Sequence, residues 1–226
     1  MEDLIQELLP NVIKKIPNIY EATGETLIMI FVSGAISFVI GIILGIILVV
    51  TRKGNILENK PVYYILDKII NVTRSIPFII LLAAAIPVTR AIVGTAIGTK
   101  GSFVPLVLGT IPFFSRQIES ALSEIDKGVI EAAQAMGSTP LEIIFRVYLK
   151  ESVPNIVRAT TITFVSLVGL TAMAGSVGGG GLGDLAIRYG YQRYQLDITY
   201  VTVIILLIVV TIIQGLGDIV IKKTTH

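Results

Sequence analysis

The stretch Thr26–Val50, TLIMIFVSGAISFVIGIILGIILVV, runs for 25 residues without a charged side chain. An α-helix rises about 1.5 Å per residue, so ~20 apolar residues cross the hydrocarbon core of a bilayer. The stretch therefore reads as a membrane span, and only a helix satisfies its backbone polar groups from within. Composition agrees. Of 226 residues, 53% are hydrophobic and 15% are charged, against about 25% charged in an ordinary soluble domain. Mean hydropathy is +0.82. Such a chain cannot cover itself with polar surface as a soluble monomer, and disorder needs the opposite composition.

Outward from Thr26–Val50, four more stretches are apolar enough to cross in their turn. The expected spans are 24–50, 75–97, 102–120, 157–178 and 198–221, in a single transmembrane domain over 1–226. The third is short of charge-free residues and reaches full length only with Arg116–Ser120, Arg116 snorkelling at its end. Before the first span, Leu4, Ile5, Leu8, Leu9, Val12, Ile13 and Ile16 recur at helical spacing, broken by Pro10 and Pro17. That segment either lies along the membrane surface or packs on the chain's own helices. It opens Met1-Glu2-Asp3, without the cationic leader of a signal peptide. With the amino terminus outside, twelve of the 18 Lys and Arg fall on the cytoplasmic side and six outside. The positive-inside rule then places the carboxyl terminus in the cytoplasm.

Several functions are excluded or weakened. Net charge is only +2, which gives nucleic acid no electrostatic footing. There is no Cys, and the one His is the terminal His226, so thiol chemistry, Cys or His metal sites and a buried imidazole base are absent. No metal or catalytic residue is assigned. Ionisable groups stand only near span ends, at Glu25, Arg90, Arg116, Glu119 and Asp218. A proton-coupled carrier needs such a group inside the membrane. The spans offer hydroxyls without a base, so energy for transport has to come from a partner.

Ser33, Ser37, Gly41 and Gly45 form a ridge at a four-residue step, which admits close helix approach within one chain or between two. Pro77, Pro87, Pro105 and Pro112 interrupt the second and third spans, and broken helices suit the wall of a pathway.

The most informative segment is the cytoplasmic loop, about 121–152. Val129–Met136 is rich in Ala, Glu and Gln and favours a helix. Asp126 caps its start, Gly137 ends it, and Ser138 or Thr139 with Pro140 starts a second helix. Leu141, Ile144, Phe145, Tyr148 and Leu149 give that second helix an apolar face. A short helix on a tight tether is a docking element: Ala132 and Ala133 allow close contact, and Glu131 can meet a basic residue.

Glu131-Ala132-Ala133, then Gly137, then Val147 and Leu149 at the family's spacing, resemble the EAA loop of ABC importer permeases. The match ends at Lys150, where the family pattern has Pro. Within that resemblance, Glu131, Ala132, Ala133 and Gly137 belong to the coupling helix that seats in a cleft of the ATPase subunit. Ala172–Tyr194, Arg74–Phe78 and Gly109–Phe114 are similar to the permeases of methionine-type importers. The likeness implies the type I ABC importer permease fold, with five transmembrane helices and a cytoplasmic coupling-helix loop. It implies a homodimer in the cell (plasma or inner) membrane, two cytoplasmic ABC ATPase subunits holding ATP and Mg, and an extracytoplasmic substrate-binding protein or lipoprotein. No cofactor is expected in this chain. Its activity would be ATP-driven import of a small amino acid, foremost methionine, by alternating access. A stand-alone carrier or channel, a membrane scaffold, and a permease for another amino acid or an osmolyte remain alternatives.

Gly178, Gly179, Gly180 and Gly181 end the fourth span. Four glycines suit a tight re-entry or a hinge at a gate. With Gly183 they also spell G-x-G-x-x-G, but a membrane helix rather than a strand precedes them, so no dinucleotide site is assigned. Gly94–Lys100 is a near miss for a P-loop, without Ser or Thr after the Lys. Met173 near the same span end can plug a narrow path or simply fill the core. Ser166, Thr171 and Ser176 either wet that helix or bond its preceding turn.

Overall fold

The computed structural model describes residues 9–224 and is helical, with no strand among the described residues. Leu4, Ile5, Leu8 and His226 lie outside them. The elements are α1 (Pro10–Lys14), α2 (Ile16–Thr51), α3 (Lys60–Ser75), α4 (Phe78–Ala84), α5 (Ile86–Val93), α6 (Gly98–Ser123), α7 (Lys127–Ala135), α8 (Pro140–Ile143), α9 (Val153–Ala174), α10 (Gly181–Leu185) and α11 (Leu196–Thr224). Pro10 and Pro17 stand in the first turns of α1 and α2, where a missing N–H loses no helix bond.

Among the described residues, three helices are long and apolar enough to cross a membrane: α2 with 36 residues, Val153–Gly179 with 27 and α11 with 29. Each overlaps an expected span. The second expected span is not one helix. Pro77 holds Ile76 extended, at φ −80° and ψ 122°, and separates α3 from α4, while Pro87 lies in the first turn of α5. The third expected span is α6, continuous through Pro105 and Pro112 for 26 residues. It reaches a spanning hydropathy jointly with α5, from which it is bent by 119°. Helix α3 falls where a loop was expected. Asn59 caps it by accepting from the Val62 N–H, and Lys60, Asp67, Lys68 and Arg74 interrupt its sequence, so it carries no charge-free run.

The described chain divides into two compact units, and the division falls inside long helices. One unit contains the chain through Ala35, Pro77–Gly109 and Phe164–Ile213. Its core is Met29, Ile30, Leu106, Leu167 and Val168, with a smaller cluster of Ala22, Leu182, Leu185 and Ile198. The α1 end is tied down inside this unit: the Asn11 and Val12 N–H groups both donate to Asp197 Oδ2, at 2.8 and 3.2 Å.

The other unit contains Ile36–Ile76, Thr110–Thr163 and the chain from Gln214. Its core joins Val49 and Val50 of α2 to Phe114, Ile118 and Leu122 of α6, and adds Ala133, Ile143 and Tyr148 from the loop. The small-residue ridge works within the chain here. A Cβ on Gly41 would stand 2.6 Å from Phe114 Cδ1, and one on Gly45 would stand 2.5 Å from Ile118 Cγ2. Only hydrogen on those Cα atoms lets α6 pack so near α2.

Arg116 does not snorkel free at its helix end. Its guanidinium pairs with both Asp67 of α3 and Glu119, and donates to Asn71 Oδ1 at 3.0 Å. The side chain is 17% exposed, and a charge so far withdrawn from water requires paired carboxylates.

Candidate functional site

The loop after α6 is built by local caps. Asp126 accepts from the Gly128 N–H at 2.6 Å and starts α7 at Lys127, two residues earlier than the composition suggests. At the other end Gly137 takes φ +82°. Its N–H donates to Gln134 O, and the Ser138 N–H donates to Ala133 O, the paired bonds of a Schellman stop. Thr139 then caps α8 in a reciprocal box: its hydroxyl accepts from the Glu142 N–H, while Glu142 Oε2 accepts from the Thr139 N–H at 2.9 Å. Those bonds from Thr139, backbone first, hold the Glu142 carboxyl below its ordinary 4.5.

Past α8 the backbone widens into a π-helical segment, Ile144–Tyr148, before Leu149–Glu151. Ile143, Ile144 and Tyr148 are buried, whereas Leu141 and Phe145, placed on one apolar face with Ile144 and Tyr148, are exposed. The segment is apolar on more than one side, so its period alone does not choose the inward face. The Tyr148 hydroxyl donates to Asn55 Oδ1 at 2.7 Å, and burial pushes this phenol up against the opposing effect of that bond.

The Glu131-Ala132-Ala133 triplet is split by the helix. Ala133 is 5% exposed and packs in the core beside the buried residues of α2 and α6. Glu131 and Ala132 are exposed. Around them Val129, Met136, Leu141 and Phe145 are also exposed, Met136 at 80%. The loop thus offers a small residue and a carboxylate amid uncovered apolar side chains, on a helix locked at both ends. Such a patch is suited to a protein groove.

The glycine run in the other unit is a clamped turn. Helical geometry breaks within Gly175–Gly179, at Val177 and at Gly178 (φ +90°), and Gly180 (φ +77°, ψ −168°) and Gly181 (φ +73°) reverse the chain into α10. These are conformations that side chains other than glycine's resist. Three side chains hold the turn. Glu25 Oε2 accepts from the Gly181 N–H at 2.6 Å, Thr26 Oγ1 accepts from the Leu182 N–H at 2.8 Å, and the Ser102 hydroxyl donates to Gly179 O at 3.2 Å. Contacts 156 residues apart leave no local sequence signal. Met173 is half-exposed, the Ser176 hydroxyl donates back to Met173 O, and the Thr171 hydroxyl donates to Val168 O. Both hydroxyls thus bond their own helix.

Helices long enough to span, a capped loop helix with an uncovered face and a clamped glycine turn are thus joined in one chain. The chain belongs to the family of binding-protein-dependent transport system inner membrane components, which it matches over residues 37–226. Among relatives, it is 52% identical over 205 residues to the probable D-methionine transport system permease protein MetI of Vibrio cholerae, covering 91% of each chain. It is 43% identical over 217 residues to the methionine import system permease protein MetP of Bacillus subtilis, covering 96% of this chain and 97% of that one. An inward-facing structure of the MetNI methionine ABC transporter superposes with TM-score 0.91 at 46% identity, covering 93% of this chain and 98% of that chain.

Proposed function

We propose that this chain is the membrane permease of an ATP-driven methionine importer. The observation that carries this is likeness along nearly the whole chain, at 52% identity, to a permease named for D-methionine transport. On this reading the chain crosses the membrane five times. Helix α2 is the first span, Lys60–Val93 threads the second in three pieces, and α6, α9 and α11 complete the set. The amino terminus is outside and the carboxyl terminus cytoplasmic. Two copies frame the path, with a cytoplasmic ATPase beneath each and a substrate-binding protein outside. ATP and Mg reside on the ATPase.

Helix α7 is the coupling element. Glu131 and Ala132 face a groove on the ATPase, and Ala133 fastens the helix to its own unit. Because Asp126 and Gly137 fix both ends, force on α7 reaches α6 with little loss in loop bending. Arg116, bridging α6 to Asp67 of α3, spreads it further. ATP closure and hydrolysis then bias a rigid-body exchange between two states. The turn Gly178–Gly181, with Met173 and Ser176 before it, forms the outer gate. The test is uptake of labelled methionine into proteoliposomes holding the chain, a Walker-type ATPase and a methionine-binding protein. Uptake that needs ATP and is competed by methionine but by no other amino acid supports the assignment. Competition by an unrelated amino acid or osmolyte instead overturns the substrate.

A further inference from the structure

Tyr189 lies in the π-helical segment Ala186–Tyr191, and three cations surround its ring. Lys15 Nζ is 4.0 Å from the ring centroid, Arg193 Cζ 4.7 Å and Arg188 Cζ 4.9 Å. No two of them can then be more than about 10 Å apart, within one Debye length at ordinary ionic strength. Arg188 has a carboxylate, Asp184 Oδ2 at 2.9 Å. Lys15 and Arg193 have none among the described residues. The nearby Asp197 is taken up by Asn11 and Val12. The ring's negative faces attract each cation, but they leave the mutual repulsion of two unpaired charges uncompensated. An anion fits here.

Beside the cluster is a largely apolar groove of about 370 Å³ lined by Val12 of α1, Ile16, Ile19, Tyr20 and Thr23 of α2, and Val201 and Ile205 of α11. Tyr189, Val12, Ile19 and Ile205 pack on one small core, so groove and cations adjoin. Apart from Val12, the groove walls belong to α2 and α11, two helices able to span a membrane. The same unit exposes Tyr20, Tyr191, Tyr194 and Tyr200, and exposed tyrosines gather at the membrane–water boundary. We propose that this site holds an anionic phospholipid, with its phosphate on Lys15 and Arg193 and an acyl chain in the groove. An apolar groove at the boundary suits a lipid better than an acidic protein surface, which would leave it uncovered.

Native mass spectrometry of the detergent-purified chain, offered phosphatidylglycerol, phosphatidylcholine or glycerol phosphate, tests this. Retention of phosphatidylglycerol over phosphatidylcholine by about tenfold or more is expected from two unpaired cations. The double variant Lys15→Gln/Arg193→Gln should lose that preference, and Ile205→Ser should weaken both lipids. Matching circular dichroism melts will show the variants folded; if they do not fold, headgroup discrimination by the unaltered chain decides alone. Equal retention of the two lipids overturns the proposal. So does glycerol phosphate held as tightly as the lipid, or a folded double variant that keeps its preference while losing capture of an acidic substrate-binding protein.

Discussion

Ala132 and Ala133 are chemically identical neighbours, and the structure separates their roles. Ala133 sits in a closed core with Val49, Val50 and Tyr148. Leu there adds three carbons to filled space, and overpacking of that kind costs about 1–3 kcal/mol. In a chain of this length, each kcal/mol lowers the melting temperature by about 2–4 °C. Ala132 faces outward. Arg there has nearly the helix propensity of Ala, so folding should change by no more than about 0.5 kcal/mol. If Ala132 seats in a groove of the ATPase, however, a long charged side chain at the contact centre should cost about 2 kcal/mol or more of binding, roughly thirtyfold in affinity. The paired assay is thermal unfolding by circular dichroism in nanodiscs, with ATPase association measured on the same samples. Ala132→Arg should melt like the parent and lose association. Ala133→Leu should melt lower, with association weakened only as far as the helix is displaced. Normal ATPase binding by Ala132→Arg, or equal melting of the two variants, would refute the division.

Glu142 supplies a pH test. Its carboxyl is held below 4.5 by the Thr139 bonds, so its contribution is complete above that value and disappears as pH falls through the lowered one. A carbon-13 titration should find Glu142 depressed, and Thr139→Ala should return it only part of the way towards 4.5, since the residue-139 N–H, the first cause, remains, together with faster amide exchange in α8. Removing the acceptor for the Gly181 N–H by Glu25→Ala should cost about 1.5–3 kcal/mol locally, as for bonds to charged groups. Exchange at the Gly181 amide should then accelerate, and Glu25→Gln, which keeps an acceptor oxygen, should restore protection; unchanged exchange in the Ala variant would contradict the clamp. Gly45→Val would drive a methyl into Ile118 and Ser115 O, so the melting point should fall by several degrees, for about 1–3 kcal/mol. A rise in that variant would show the ridge to be loosely packed.

Local chemistry is the legible part of this chain. Charge-free length identifies α2, α9 and α11, because spanning depends on a running sum along the sequence. The caps at Asp126, Gly137 and Thr139 are legible for the same reason, since each bond closes within five residues. The ridge at Gly41 and Gly45 announces a close approach, but its partner is known only with α6 in place. Helix α3 escapes detection because its charges break any apolar run, yet one of them, Asp67, turns inward to Arg116. The inward face from Leu141 onward is misread because apolar residues stand on more than one side of it, and Ile143 rather than Leu141 and Phe145 enters the core. The Glu25, Thr26 and Ser102 clamp lies beyond reach, since nothing local distinguishes a hydroxyl or carboxylate that will meet a glycine turn far along the chain.

Under the proposed function the chain is a passive moving part, worked through α7 by an ATPase it does not contain. Methionine uptake into proteoliposomes, measured with the chain alone and then with its ATPase and binding protein, tests that most directly. Accumulation should occur only in the complete, ATP-supplied system and vanish with Ala132→Arg. Concentrative uptake by the chain alone, or undiminished ATP-driven uptake by that variant, would contradict it.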